Sequence, residues 1–256
     1  MDALRVFLHS TGSGPALWDG VPPAVASGAQ KVTPANVGYA PGPPLPRPAR
    51  CDLRTDARHV LRQLEGAAPL HLFAHSYGAV LALELLPLLG ERVRSVLLFE
   101  PVLFGALAHD GSADPEAVAE ARGFLAHPWF LTDEARAGSE PWLEFFIDYW
   151  NRPGTWRRLP RATKDANLAV GWKMFQEVRS VFFDVSSFEE RPLTAAPCTL
   201  VMAERSPRAA RAMVQALARR TPHAQVVELK GTGHMAPLTH PEVLGEAMLA
   251  HLGRAG

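Results

Sequence analysis

Leu70-His71-Leu72-Phe73-Ala74-His75-Ser76-Tyr77-Gly78-Ala79-Val80-Leu81-Ala82-Leu83 is the stretch that decides how this chain is built. Leu70 to Ala74 reads as a short apolar strand, and the residues after Gly78 read as a helix. A strand that turns into a helix within a few residues brings two backbones close together, so the turn needs small side chains. Ala74 and Gly78 flank Ser76 at Gly-x-Ser-x-Gly spacing, with alanine in place of the first glycine. Ser76 would then stand at a helix N-terminus, where free N–H groups point toward developing negative charge. Ser-x-Gly alone describes a helix-capping serine just as well. The strand before it, the helix after it and the partners found further along favour a nucleophile.

Similar apolar runs recur outward from this stretch: Leu4–Leu8, Gln30–Thr33, Val93–Phe99, Cys198–Met202 and Ala224–Leu229. Branched and aromatic runs alternating with helix-like segments predict an α/β fold. Its sheet would be mostly parallel, with about six strands and right-handed crossovers. Tyr39 to Pro48 is rich in proline and glycine and reads as an extended loop.

The segment from Leu103 to Thr194 differs in character, with several helix starts and no convincing strand. Asp114-Pro115-Glu116, Thr132-Asp133-Glu134 and Ser139-Glu140-Pro141 each have the look of a helix N-terminus. All but one of the six tryptophans and most of the twelve phenylalanines fall here. We therefore expect a core of residues 1–102 and 195–256 carrying a helical cap at 103–194. The cap aromatics would pack its own interior, and some would line an apolar substrate pocket where cap meets sheet.

Composition narrows the classes. The 256 residues are 47% hydrophobic and 20% charged, an ordinary globular balance. Twenty-six basic residues balance 26 acidic ones, which gives no electrostatic reason to expect nucleic acid or a membrane as partner. Cys51 and Cys198 lie far apart in no metal-like spacing, the pattern of a reduced cytoplasmic protein. Met1-Asp2-Ala3-Leu4-Arg5 shows no basic segment leading a long apolar one, so no signal peptide is expected.

With Ser76 in its strand–turn–helix context, the chain resembles the α/β-hydrolase fold superfamily over nearly its whole length. In that family a His-Gly-x-Gly-like loop after the first conserved strand supplies half of the oxyanion hole. His9-Ser10-Thr11-Gly12-Ser13-Gly14 stands in the matching place, with Ser10 where glycine is usual. The resemblance implies that the backbone N–H groups of Thr11 and Tyr77 are the oxyanion donors. It also implies that the two strands that often come first in the family are missing here.

Gly231-Thr232-Gly233-His234 follows the last expected strand and matches the family's Gly-x-Gly-His loop. Parallel strands all point one way, so His234 shares the carboxyl edge of the sheet with Ser76. A neutral imidazole there can take the serine proton and return it to a leaving group. His75 is expected to pack beside the turn, His9 to shape the oxyanion loop, and His240 to belong to the start of the next helix.

The third member of such a site is a carboxylate. In the commoner family pattern it follows the penultimate strand, where this chain has Ala203-Glu204-Arg205-Ser206-Pro207. Serine at the expected acid position carries no charge, and Ser206-Pro207 reads as a helix start. Leu98-Phe99-Glu100-Pro101-Val102, one strand after the nucleophile, resembles the acid placement of certain haloalkane dehalogenases. A glutamate ending an apolar strand needs a partner. Glu100 is the expected acid, and Glu204 is the alternative.

The resemblance implies a serine hydrolase of esters or related acyl compounds that works through an acyl-enzyme, without metal or organic cofactor. Its partner would be a small-molecule substrate with an apolar or aromatic acyl portion. Serine at position 76 argues against dehalogenase or epoxide hydrolase chemistry, for which the family places aspartate at the turn. An acyltransferase or perhydrolase with the same triad, and a ligand-binding protein without catalysis, are the alternatives. The bond type and the oligomeric state are left open.

Overall fold

The computed structural model describes residues 3–66, 68–191, 193 and 195–255. Met1 and Asp2, where the N-terminal reading begins, and Thr194, the expected end of the insertion, lie outside them.

Among the described residues, six strands form one sheet: β1 (Leu4–Leu8), β2 (Gln30–Val32), β3 (Leu70–His75), β4 (Val93–Phe99), β5 (Cys198–Ala203) and β6 (Gln225–Leu229). Their order is β2-β1-β3-β4-β5-β6, and every neighbouring pair is parallel. Ala74 of β3 lies across from Leu8 on one side and Leu98 on the other. The carboxyl ends of β1, β3 and β4 are therefore level. The chain leaves β1 toward β2 on one side and later returns to β3 on the other. That reversal opens the crevice where ligands bind in sheets of this kind.

Among the described residues, ten α-helices accompany the sheet: α1 (Leu53–Gln63), α2 (Tyr77–Leu89), α3 (Phe104–His109), α4 (Pro115–Leu125), α5 (Glu140–Trp150), α6 (Thr155–Arg158), α7 (Arg161–Phe183), α8 (Arg208–Arg220), α9 (Ala236–Thr239) and α10 (Pro241–Ala255). Alternate residues of the central strands feed two cores. Val6, Leu72, Val96 and Leu98 join α1, α2 and α8 on one face. Phe7, Phe73, Leu97 and Phe99 join Leu17, Trp18 and α10 on the other. With both faces covered, β3 and β4 are buried almost end to end.

Among its described residues the insertion between β4 and β5 holds α3 to α7, joined by turns and loops, and no strand, and it shares the α2 and α8 core. Asp114 caps α4 as expected, accepting the Glu116 N–H at 3.2 Å, and Ser139 precedes α5. Thr132-Asp133-Glu134, by contrast, opens no helix. Asp133 does accept the N–H groups of Ala135 and Arg136, at 3.0 and 3.3 Å. The turns then run only to Gly138, whose φ of +65° no helix continues. Its backbone lies so close to Gly171 of α7 that a Cβ there would come 2.2 Å from a carbonyl carbon. Tertiary packing overrides the local helix signal.

Among the described residues no helix is long and apolar enough to cross a membrane.

Candidate active site

The β3–α2 turn is as tight as its sequence demands. Ser76 adopts φ +57° and ψ −119°, a backbone conformation that costs about 1–3 kcal/mol in a non-glycine residue. Its N–H donates to the Phe99 carbonyl at 2.9 Å, and its own carbonyl accepts from Ala79 and Val80. A Cβ on Gly78 would lie 2.5 Å from the Leu8 carbonyl oxygen and 2.6 Å from that of His9, so this glycine is obligatory. Ala74, in place of the other glycine, is fully buried between β1 and β4. Ser76 directly precedes α2, yet its hydroxyl makes no capping bond there. It faces His234 instead, with Oγ 3.1 Å from Nε2.

His234 sits on the loop after β6 and bridges two groups. Its Nδ1 lies 2.6 Å from Glu100 Oε2 while its Nε2 faces Ser76. An ionised carboxylate can only accept, so with Glu100 ionised the proton on that contact belongs to Nδ1, which leaves the Nε2 lone pair for the serine hydroxyl. Trp150 of α5 stacks on the imidazole at 3.8 Å between ring centroids and 22° between planes. His75 packs against it at 4.6 Å and stacks in turn on Phe99. Burial lowers the His234 pKa to about 3, so the ring is neutral at neutral pH.

Glu100 follows β4 and is wholly buried. Ser76 and Glu100 are the two non-glycine residues with positive φ among those described, Glu100 at +46°. Its Oε1 accepts the Ala203 N–H at 2.7 Å, and its Oε2 accepts the Ser206 hydroxyl at 2.8 Å as well as His234. Burial raises its pKa to about 7, against the hydrogen bonds from Ala203 and Ser206, which pull it down.

One expectation is corrected here, and the alternative acid stands apart from the ring. Ser206 is not the cap of α8, which begins at Arg208 behind Pro207 with no side-chain capping bond. Its hydroxyl belongs to Glu100. Glu204 is exposed and braces the histidine loop through the Gly231 N–H at 2.7 Å, with Lys230 3.8 Å away, and makes no bond to the ring.

His9, Thr11 and Tyr77 complete the constellation. His9 donates from Nδ1 to the Ser10 carbonyl at 3.0 Å and accepts the Asn36 N–H on Nε2 at 3.2 Å, pinning the loop after β1. The Ser13 N–H closes a turn onto the Ser10 carbonyl at 3.3 Å. Tyr77 is the first residue of α2, so its N–H has no intrahelical acceptor. Thr11 and Ser76 both line one narrow cavity. The rest of its lining is aromatic and aliphatic, including Phe104, Phe124, Phe146, Trp150, Val178 and Val181.

A parallel sheet with a strained serine at its switch point, backed by a histidine and a buried carboxylate, defines the α/β-hydrolase class. The chain belongs to the alpha/beta hydrolase family, whose model matches residues 6–247. Comparison with curated proteins finds no match. Solved structures with the same fold include a membrane phospholipase A described as a bacterial virulence factor, 18% identical with a TM-score of 0.74, covering 99% of this chain and 79% of that one. Another is Cfl2 from Burkholderia cenocepacia, 21% identical with a TM-score of 0.72, covering 97% and 87%. A third is a bromoperoxidase from Bacillus anthracis, 16% identical with a TM-score of 0.68, covering 99% and 92%. At these identities the likeness is one of fold.

Proposed function

We propose that the protein is a serine hydrolase that cleaves an ester or a related acyl bond through an acyl-enzyme on Ser76. The observation that carries this reading is the continuous chain from Glu100 through His234 to Ser76, with both ring nitrogens of the histidine engaged.

In the first step Ser76 Oγ attacks the substrate carbonyl carbon as its proton passes to His234 Nε2. The carbonyl π pair moves onto oxygen, where the Thr11 and Tyr77 N–H groups receive the negative charge. Glu100 stabilises the imidazolium across the Nδ1 contact. Collapse expels the leaving group, which takes the proton from Nε2. Water, deprotonated by the same nitrogen, then attacks the acyl-enzyme and releases acid and free Ser76. No metal or organic cofactor enters these steps.

Residues 103–194 act as the cap, and their aromatic wall above Ser76 supports an apolar or aromatic acyl group as substrate. Serine at position 76, where dehalogenases and epoxide hydrolases of this fold carry aspartate, favours acyl transfer to water over attack at a saturated carbon. The two cysteines are free and buried, which fits the cytoplasmic location we assign.

The test is a series of activated esters of increasing acyl length, run on the wild type and on Ser76→Ala, with fluorophosphonate labelling alongside. Turnover and labelling in the wild type, both lost in Ser76→Ala, are expected. A wild type that neither labels nor hydrolyses any member would leave a binding protein as the reading.

A further inference from the structure

Beneath the loop that carries Thr11 lies a cluster of buried charge that the triad does not use. Lys173 of α7 is enclosed with Asp56 of α1 and Glu177 of α7. Its ammonium donates to Asp56 Oδ2 and, at 3.3 Å, to Cys51 Sγ, and lies 3.5 Å from Glu177 Oε1. Burial alone would lower the ammonium, but Glu177 and Asp56 outweigh it and leave it above the ordinary lysine value. Burying an ion group of this kind carries a desolvation penalty, and well-packed apolar residues often do as well or better for stability. Its contacts give it another role.

Two arms leave the cluster, and each ends beside one of the two proposed oxyanion donors. On one side Glu177 Oε2 accepts the Tyr39 hydroxyl at 2.8 Å, and the same Tyr39 oxygen accepts the Gly12 N–H at 2.8 Å. The Thr11 hydroxyl also bears on Glu177. On the other side Asp56 Oδ2 accepts the Tyr77 hydroxyl at 2.7 Å, while its Oδ1 accepts the Val37 N–H at 3.1 Å. None of Tyr39, Asp56, Lys173 and Glu177 lines the cavity above Ser76.

We infer that the Lys173–Asp56–Glu177 cluster, acting through Tyr39 and Tyr77, is the positioning device that sets the Thr11 and Tyr77 N–H groups at the spacing an oxyanion requires. The inference rests on the serine-hydrolase reading above and extends it to residues that never touch substrate. The ammonium joins Asp56 of α1 to Glu177 of α7 in the insertion, and the 36–39 loop bonds to both carboxylates through Val37 and Tyr39. The spacing of the two donors thus depends on how the insertion sits on the core. Misplacing a reacting geometry by about 1 Å can cost on the order of a hundredfold in rate.

The experiment uses the full-length protein with Tyr39→Phe, Glu177→Gln and the double variant, each checked for folding by circular dichroism and melting. The substrate is a short-chain p-nitrophenyl ester, and a boronic acid that forms a tetrahedral adduct on serine is the second probe. Each single variant is expected to lose about 10–100-fold in kcat with KM within about twofold. Boronate affinity should weaken in step with kcat. The double variant should lose little more than either single one, because both break the same arm. Wild-type kcat and boronate affinity in folded Tyr39→Phe and Glu177→Gln would overturn the proposal. So would losses that follow the melting temperature alone and leave the kcat of the folded fraction unchanged. Failure of the underlying reading looks different, since the wild type itself would then neither turn over the ester nor bind the boronate.

Discussion

The Ser206 hydroxyl donates to Glu100 Oε2 at 2.8 Å, so the residue at the more usual acid position serves the carboxylate that stands one strand away. Parallel pairing of β4 with β5 makes this possible, because Phe99 lies across from Val201 and the two strand ends emerge side by side. The same Oε2 also receives His234 Nδ1. Removing the Ser206 hydroxyl therefore acts directly on the charge that faces the imidazole.

The first prediction concerns pH. The proposed mechanism needs a neutral His234 and an ionised Glu100, and burial raises the Glu100 pKa to about 7. As pH falls through that value the carboxyl becomes neutral and no longer stabilises an imidazolium, so kcat/KM should fall on the acid side. The apparent pKa of that limb belongs to the Glu100–His234 pair. Ser206→Ala withdraws a hydrogen bond that favours the charged form, so the limb should move to higher pH, with the plateau rate held within a few-fold. A pH–rate profile from 5 to 9 checks it (about two units on either side of neutrality). A limb that stays put or moves down would remove Ser206 from this role.

The second separates the two glutamates. Glu100→Gln keeps the shape but offers no charge and can present an amide to Nδ1, which favours the wrong tautomer. In a triad of this kind the loss in kcat is about 10⁴-fold. Glu204→Gln changes only an exposed brace of the 231 loop and should remain within about threefold of wild type. Steady-state kinetics of the pair decide it, and the reverse ranking would make Glu204 the acid.

How much of this was legible in the sequence depends on how local each feature is. Ser76 and Gly78 sit in one continuous strand–turn–helix, and all six strands could be read from apolar runs with ends off by a residue or so. Glu100 stood out as a charge closing an apolar strand. The bond from Ser206 was hidden, because Ser-Pro before a helix has a sufficient local explanation as a cap. Lys173 and Glu177 were hidden for a related reason: four residues apart on a long helix, they look like a solvent-facing ion pair. Their burial comes from α1 and the 36–39 loop, which lie more than a hundred residues away in sequence. Trp150 on His234 is likewise set by how α5 seats on the core, and no periodicity reports that.

The third prediction tests the cavity as the acyl site. Val178 lines it from α7, and Phe in its place adds volume inside the wall rather than at the triad. Long-chain esters should lose about tenfold or more in kcat/KM, from steric costs of order 1–3 kcal/mol, while acetyl esters stay within about twofold. The chain-length series already described measures this. Equal losses across the series would place the acyl group elsewhere.

The last prediction sets the two small residues of the turn against each other. Gly78 faces the Leu8 and His9 carbonyl oxygens, and a methyl group there would overlap them at 2.5 and 2.6 Å. Those atoms are backbone and cannot swing aside, so β1 or α2 must move, and with β1 the loop that carries Thr11. Gly78→Ala should therefore cost several kcal/mol, with about 3 kcal/mol or more expected from overpacking that shifts backbone. Ala74→Gly restores the commoner motif, but it adds backbone freedom to a buried strand and leaves a methyl-sized void. It should cost about 1–2 kcal/mol and leave kcat near wild type. Thermal melts and ester turnover of the two variants give the answer. A Gly78→Ala protein as stable and active as the wild type would mean that the turn is looser than the contact between Gly78 and β1 requires.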